Sequence, residues 1–180
     1  MKNKLVFMDV ESDGLYGAFL TVAFIVTNWD GQELARAYYG IKRENMQVTV
    51  PWVKDNVIPK LGEYEAVTDE KELLKRAWNF WLEYREEAYM VCEVGYPVEA
   101  RFLRACVALD EATNMWLAPF PLIDLESILL AKGYEPLTER SRILSNYKEE
   151  AVHNALYDVE AEVQLWKELM RKEGASWRPI

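Results

Sequence analysis

The sequence predicts an α/β domain built on a mixed five-stranded sheet, three antiparallel strands first and β-α units after them, with helices on its faces. Three observations predict it. The first forty residues alternate strand-like apolar runs with two turn signals, the later chain carries apolar stripes at helical spacing, and short apolar runs stand between those stripes. The chain has 180 residues, 51% hydrophobic and 28% charged, which is the composition of an ordinary folded unit and not of a disordered or collagen-like chain. One domain over residues 1–180 is expected, large enough to bury a core without disulfide or structural-metal staples.

In order, Leu5–Val10, Phe19–Thr27 and Glu33–Ile41 read as the strands of a meander over residues 1–41. Ser12-Asp13-Gly14 and Asn28-Trp29-Asp30-Gly31 separate them, and Asp-Gly is a strong hairpin signal. Residues 42–67 have no clear period and contain Pro51, Pro59 and Gly62, so a long irregular segment is expected, with at most a short helix around Trp52–Val57. Loops of that length usually serve a site. The α/β part runs from residue 68 to 172. Thr68 is placed as the N-cap of a helix reaching about Glu87, with Leu73, Leu74, Ala77, Trp78, Trp81 and Leu82 as its inner stripe. Tyr89–Cys92 reads as a short buried strand. Pro97 suits the first turn of a helix whose inner face is Val98, Phe102, Ala105, Cys106 and Leu109. A brief strand at Leu122-Ile123 leads to a helix from Asp124 to about Lys132, stopped by Gly133. The longest helix comes last, with Ala155, Leu156, Val159, Val163, Trp166 and Met170 on one side. The tail over 173–180 is expected to be loose, with Trp177 able to anchor it.

Charge narrows the function classes. With 21 Lys+Arg against 30 Asp+Glu the formal net charge is −9, the wrong sign for gripping long DNA by neutralising many phosphates. If phosphate is the substrate, bound cations must mediate the contact. Two cysteines, Cys92 and Cys106, make no disulfide framework and read as buried thiols in a reducing setting. The apolar run Leu5–Met8 ends at Asp9 and is too short for a signal or a membrane span, so a cytoplasmic protein without a membrane partner is expected.

Asp9 and Glu11 lie two apart near the end of the first strand, and strand geometry sends i and i+2 to one face. Two like charges held side by side raise a pKa, and the usual remedy is a divalent cation with hard oxygen ligands. Asp124/Glu126 and Asp158/Glu160 repeat the spacing, but in helices, where such pairs diverge by about 200°. His153 is the one histidine, five residues before Asp158 at the entry to the last helix. Within a regular helix those side chains would sit about 140° apart, so they converge only if His153 precedes the helix, as it does if Asn154 is the N-cap.

Asp9-Val-Glu11-Ser-Asp-Gly-Leu15 on a first strand, an acidic residue opening a mid-chain helix, and His153-x4-Asp158 opening the last helix resemble the DEDDh family of 3′–5′ exonucleases. That family includes oligoribonuclease, ribonuclease T and the proofreading subunit of bacterial replicases. The resemblance covers most of residues 4–170 and implies an RNase H-like fold. The family places an aspartate before an Arg-Phe-Leu-like run. Here Glu99 precedes Arg101-Phe102-Leu103, with Glu93 as the alternative. Glutamate keeps the charge but carries it about 1.5 Å further out.

The resemblance implies a two-metal mechanism with Mg²⁺ or Mn²⁺. Asp9, Glu11 and Asp158 would hold one ion, Asp9 and Glu99 the second, and His153 would take the proton of the attacking water. Leu15 and Tyr16 are the candidates for packing on the terminal base, with Tyr96 and Trp52 beside them. Arg101 or Lys54 is read as a phosphate contact or as a solvated charge. The expected substrates are RNA or short single-stranded oligonucleotides, ahead of single-stranded DNA, and the product a nucleoside 5′-monophosphate. A homodimer is compatible with the smaller enzymes of the family. The rival expectation is a nucleic-acid-binding domain of the same fold with impaired catalysis.

Overall fold

A computed structural model describes residues 2–171, so the expected tail with Trp177 lies outside the described residues. The strands are β1 (Lys4–Ser12), β2 (Phe19–Asn28), β3 (Glu33–Ile41), β4 (Glu65–Val67), β5 (Ala88–Cys92) and β6 (Leu122–Asp124). The helices are α1 (Pro51–Asn56), α2 (Glu70–Tyr84), α3 (Ala100–Ala108), α4 (Glu111–Asn114), α5 (Leu125–Ala131) and α6 (Ala155–Met170). Among the described residues the strands form one mixed sheet in the order β4, β3, β2, β1, β5, β6. The meander β1–β2–β3 is antiparallel, while β5 runs parallel to β1, β6 parallel to β5, and β4 parallel to β3.

Strand β1 is central and apolar on both faces, as a strand covered by helices on either side must be. Val6, Met8 and Val10 enter a core with Leu73, Trp78, Trp81 and Phe102 of α2 and α3. Leu5 and Phe7 enter a second core with Val159, Val163 and Trp166 of α6 and Leu125 and Leu129 of α5. The period of two then dictates that Asp9 and Glu11 continue the Leu5–Phe7 row and face α6. Both cysteines are buried and free, as expected.

Several expectations need correction. The sheet has six strands, not five: β4 lies inside the segment expected to be irregular, and only Val67 of its three residues is buried, so there was no alternation to see. The N-cap of α2 is Asp69, whose side chain accepts from the Glu72 N–H. Thr68 does the reverse, donating its N–H and its hydroxyl to Glu72 Oε2, so the cap is shifted by one residue. Helix α2 ends at Tyr84, before Glu87. Pro97 does not open α3. It stands in a wide turn over Gly95–Glu99, with Tyr96 extended, and α3 starts at Ala100. Among the described residues no helix is long and apolar enough to cross a membrane.

Candidate active site

The site is built at the end of β1 that faces the start of α6. Asp9 and Glu11 point there for the reason of strand parity given above. Asn154 is the N-cap of α6, its side chain accepting from the Leu156 and Tyr157 N–H groups, so Asp158 sits in the first turn. His153 therefore precedes the helix, as the geometry required. Its backbone lies at φ 72°, a left-handed conformation that costs a non-glycine residue about 1–3 kcal/mol unless its surroundings hold it. They do: the His153 N–H donates to Asp158 Oδ2 at 2.9 Å.

Asp9, Glu11 and Asp158 each bring a carboxylate oxygen to within 4.8 Å of the other two. Glu99, at the end of the wide turn before α3, is also buried. Burial drives all of these groups toward the protonated form. It raises Glu11 to about 7, against the pull of Lys60. It also raises Glu99 to about 7, with help from Glu11, and Asp158 to about 8, again with Glu11. Asp9 is held well above the carboxylate range by burial first, then by Glu11, Asp158, Glu99 and Glu162. Asp9 Oδ2 is buried and has no hydrogen-bond partner. A buried unpartnered carboxylate oxygen facing other carboxylates is costly, and an oxygen-only donor set of this kind fits a hard divalent cation.

The two candidates for the middle acidic position part company. Glu93 is held by the buried Arg140, which also grips Glu126. Glu99 has no cation beside it among the described residues and acts electrostatically on Asp9 and Glu11.

Leu15, Tyr16 and Tyr96 are all exposed. Tyr96, beside Tyr16, raises the Tyr16 hydroxyl's pKa. Arg101 is not free for phosphate. Its guanidinium donates to the Leu15 and Gly17 carbonyls, at 2.7 Å each, and lies over the Phe19 ring, so it clamps the β1–β2 turn. Trp52 stands edge-to-face with His153, and burial together with Lys60 lowers the imidazole pKa.

Sequence reasoning missed three residues. Glu162, one turn after Asp158, is 1% exposed. It accepts the Glu93 N–H through Oε1 at 3.0 Å, while Oε2 is buried without a partner. The spacing of four residues on one helix was the available signal. Lys60 reaches Glu11 and His153 electrostatically from the irregular segment. Arg140 pairs with Glu93 from a stretch without periodicity.

The sheet and its flanking helices define the RNase H-like α/β fold class. Within that class the fold is shared by solved structures of exonuclease I. The zinc-bound E. coli ExoI–ssDNA complex matches with a TM-score of 0.71 at 12% identity, over 94% of this chain and 40% of its own. E. coli exonuclease I with a dA16 oligonucleotide gives 0.70 at 13% identity, over 96% and 41%. A moderately thermophilic exonuclease I from Methylocaldum szegediense gives 0.68 at 16% identity, over 96% and 41%. The chain spans about two fifths of the length of these proteins. No family model matches it, and no curated protein matches it by sequence.

Proposed function

We propose that this chain is a divalent-metal-dependent 3′–5′ exonuclease of the DEDDh type, acting on single-stranded nucleic acid and releasing nucleoside 5′-monophosphates. The observation that carries this reading is the meeting of Asp9, Glu11 and Asp158, drawn from opposite ends of the chain, where Asp9 also keeps a buried and unpartnered oxygen. Asp9, Glu11 and Asp158 would hold one Mg²⁺ or Mn²⁺ ion, and Asp9 with Glu99 a second. When bound, such ions neutralise the phosphodiester charge, acidify water and stabilise the leaving 3′ oxygen.

The chain's own residues do the rest. His153, kept neutral by its half-buried position and by Lys60, is a base able to take a proton at neutral pH. Its backbone bond to Asp158 fixes it beside the carboxylates. Leu15, Tyr16 and Tyr96 offer exposed apolar and aromatic surface to the terminal base, each stack contributing about 1–3 kcal/mol without regard to sequence. Arg101 holds the turn that carries Leu15 and Tyr16 against the helix that follows Glu99.

The preference for RNA rests on the sequence alone. The nucleic acids named with the two E. coli structures above are single-stranded DNA and dA16. Labelled single-stranded RNA and DNA oligonucleotides, incubated with Mg²⁺ or Mn²⁺, test both points. Stepwise shortening from the 3′ end that stops in chelator is expected. Binding without shortening would leave a nucleic-acid-binding domain.

A further inference from the structure

The segment from Thr49 to Gly62 crosses beside the start of α6 and is tied down at both ends. At one end Asp13 accepts hydrogen bonds from the Thr49 N–H (2.8 Å), the Thr49 hydroxyl (2.6 Å) and the Val50 N–H (3.0 Å). At the other, Asn154 Nδ2 donates to the Lys60 carbonyl at 2.8 Å. Gly62, at φ 68°, leaves room for that amide, since a Cβ there would stand 2.7 Å from Asn154 Nδ2. Between the two ties Val53, Val57 and Leu61 pack with Leu20 as a small core. Helix α1 is thereby fixed relative to the N-cap of α6.

From that fixed helix Trp52 meets His153, with ring centroids 5.0 Å apart and planes at 86°. Trp52 is 54% exposed, so this contact, and not core burial, is what distinguishes its position. A general-base histidine is normally aimed by a hydrogen bond from a third group to its ring. Among the described residues no protein group binds either ring nitrogen of His153, whose one polar tie is through the backbone N–H to Asp158. The ring is left to be oriented by packing, and the edge-to-face contact supplies a preferred angle.

We propose that Trp52 is a positioning residue that aims the His153 imidazole. The role rests on the reading of His153 as general base. It acts through His153 and asks nothing of the substrate. Removing the indole leaves the carboxylates and the Asp158 tie intact but lets the imidazole turn, and misplacement by about 1 Å costs up to ~10²-fold in rate.

The test compares Trp52→Ala, Trp52→Leu and Trp52→Phe in the full chain. A single histidine gives a single set of imidazole NMR signals, so the ring's environment is read without substrate. Trp52→Ala is expected to shift those signals, to lower kcat by about tenfold to 10²-fold at nearly constant KM, and to leave Mn²⁺ affinity unchanged. Trp52→Phe, which keeps an aromatic edge, is expected to restore most of kcat, and Trp52→Leu is not. A raised KM with unchanged kcat, or equal rescue by Leu and Phe, would overturn the proposal. Were Trp52→Ala not to fold, the contrast between the Phe and Leu variants decides alone. An inactive wild-type chain would remove the general-base reading and the role of Trp52 together, whereas an active chain indifferent to Trp52→Ala would remove only the latter.

Discussion

Two acidic neighbourhoods meet where β5 ends, and they are neutralised differently. In one, Glu93 and Glu126 share the guanidinium of Arg140, itself almost wholly buried, and Glu126 also accepts the Leu137 N–H. In the other, Asp9, Glu11 and Asp158 converge, Glu99 acts electrostatically on Asp9 and Glu11, and among the described residues no arginine pairs with any of the four. Lys60 acts on Glu11 electrostatically and offsets only part of the effect of burial there. The fold can therefore supply an internal cation where it needs one, and at the second neighbourhood it does not. Without such a partner, burial leaves those carboxyl groups favouring the protonated form. Glu162 joins the two, holding the Glu93 N–H with one oxygen and leaving the other unpartnered.

The contrast can be broken most severely at Asp9. Asp9→Asn should reduce turnover of a labelled oligonucleotide to background while raising the melting temperature of the metal-free protein, because a neutral amide avoids the cost of keeping a buried carboxyl protonated at neutral pH. A lowered melting temperature would mean that Asp9 is structural. Next, His153→Ala should cut turnover by about 10²–10⁴-fold with metal affinity kept, as read by parallel rate and calorimetric titrations. Full activity in that variant would assign the proton to another group.

Arg140→Met tests the opposite neighbourhood. It strands Glu93 and Glu126 without a cation and should destabilise the fold by about 3–5 kcal/mol in denaturant titrations, with Mn²⁺ affinity little changed. The smallest effect is on pH dependence. Asp158 at about 8 and Glu11 and Glu99 at about 7 favour the protonated form in the folded state. Between about pH 4, where ordinary carboxylates titrate, and those values, the folded protein binds more protons than the unfolded chain. Stability without metal should then fall as pH rises through that window, and saturating Mg²⁺ should flatten the slope. A metal-free stability that rises across the window would contradict the burial of these groups.

Much of this was legible in the sequence because it depends on local periodicity. The central strands announce themselves by apolar runs, α6 by its stripe and by Asn154, and the parity of Asp9 and Glu11 follows from a strand's period of two. The illegible parts depend on tertiary pairing. β4 is three residues long and has one buried side chain, so only its ladder with Tyr39–Ile41 identifies it. Glu162 sits in a helix rich in charges and looks like a solvated residue until Glu93 and Asp9 are placed beside it. Arg101 reads as a surface cation because the Leu15 and Gly17 carbonyls it binds are more than 80 residues away in sequence. The wide turn over Gly95–Glu99 displaces the start of α3 by three residues from where Pro97 alone would put it, and so carries Glu99 at the mouth of the helix.

The central claim is that Asp9, Glu11 and Asp158 form a site for a divalent cation. Titration of Mn²⁺ into the full chain, followed by electron paramagnetic resonance of the free ion, measures this without substrate. Saturable uptake that Mg²⁺ displaces, and that Asp9→Asn abolishes, is the predicted result. No uptake, or uptake indifferent to Asp9→Asn, would contradict it.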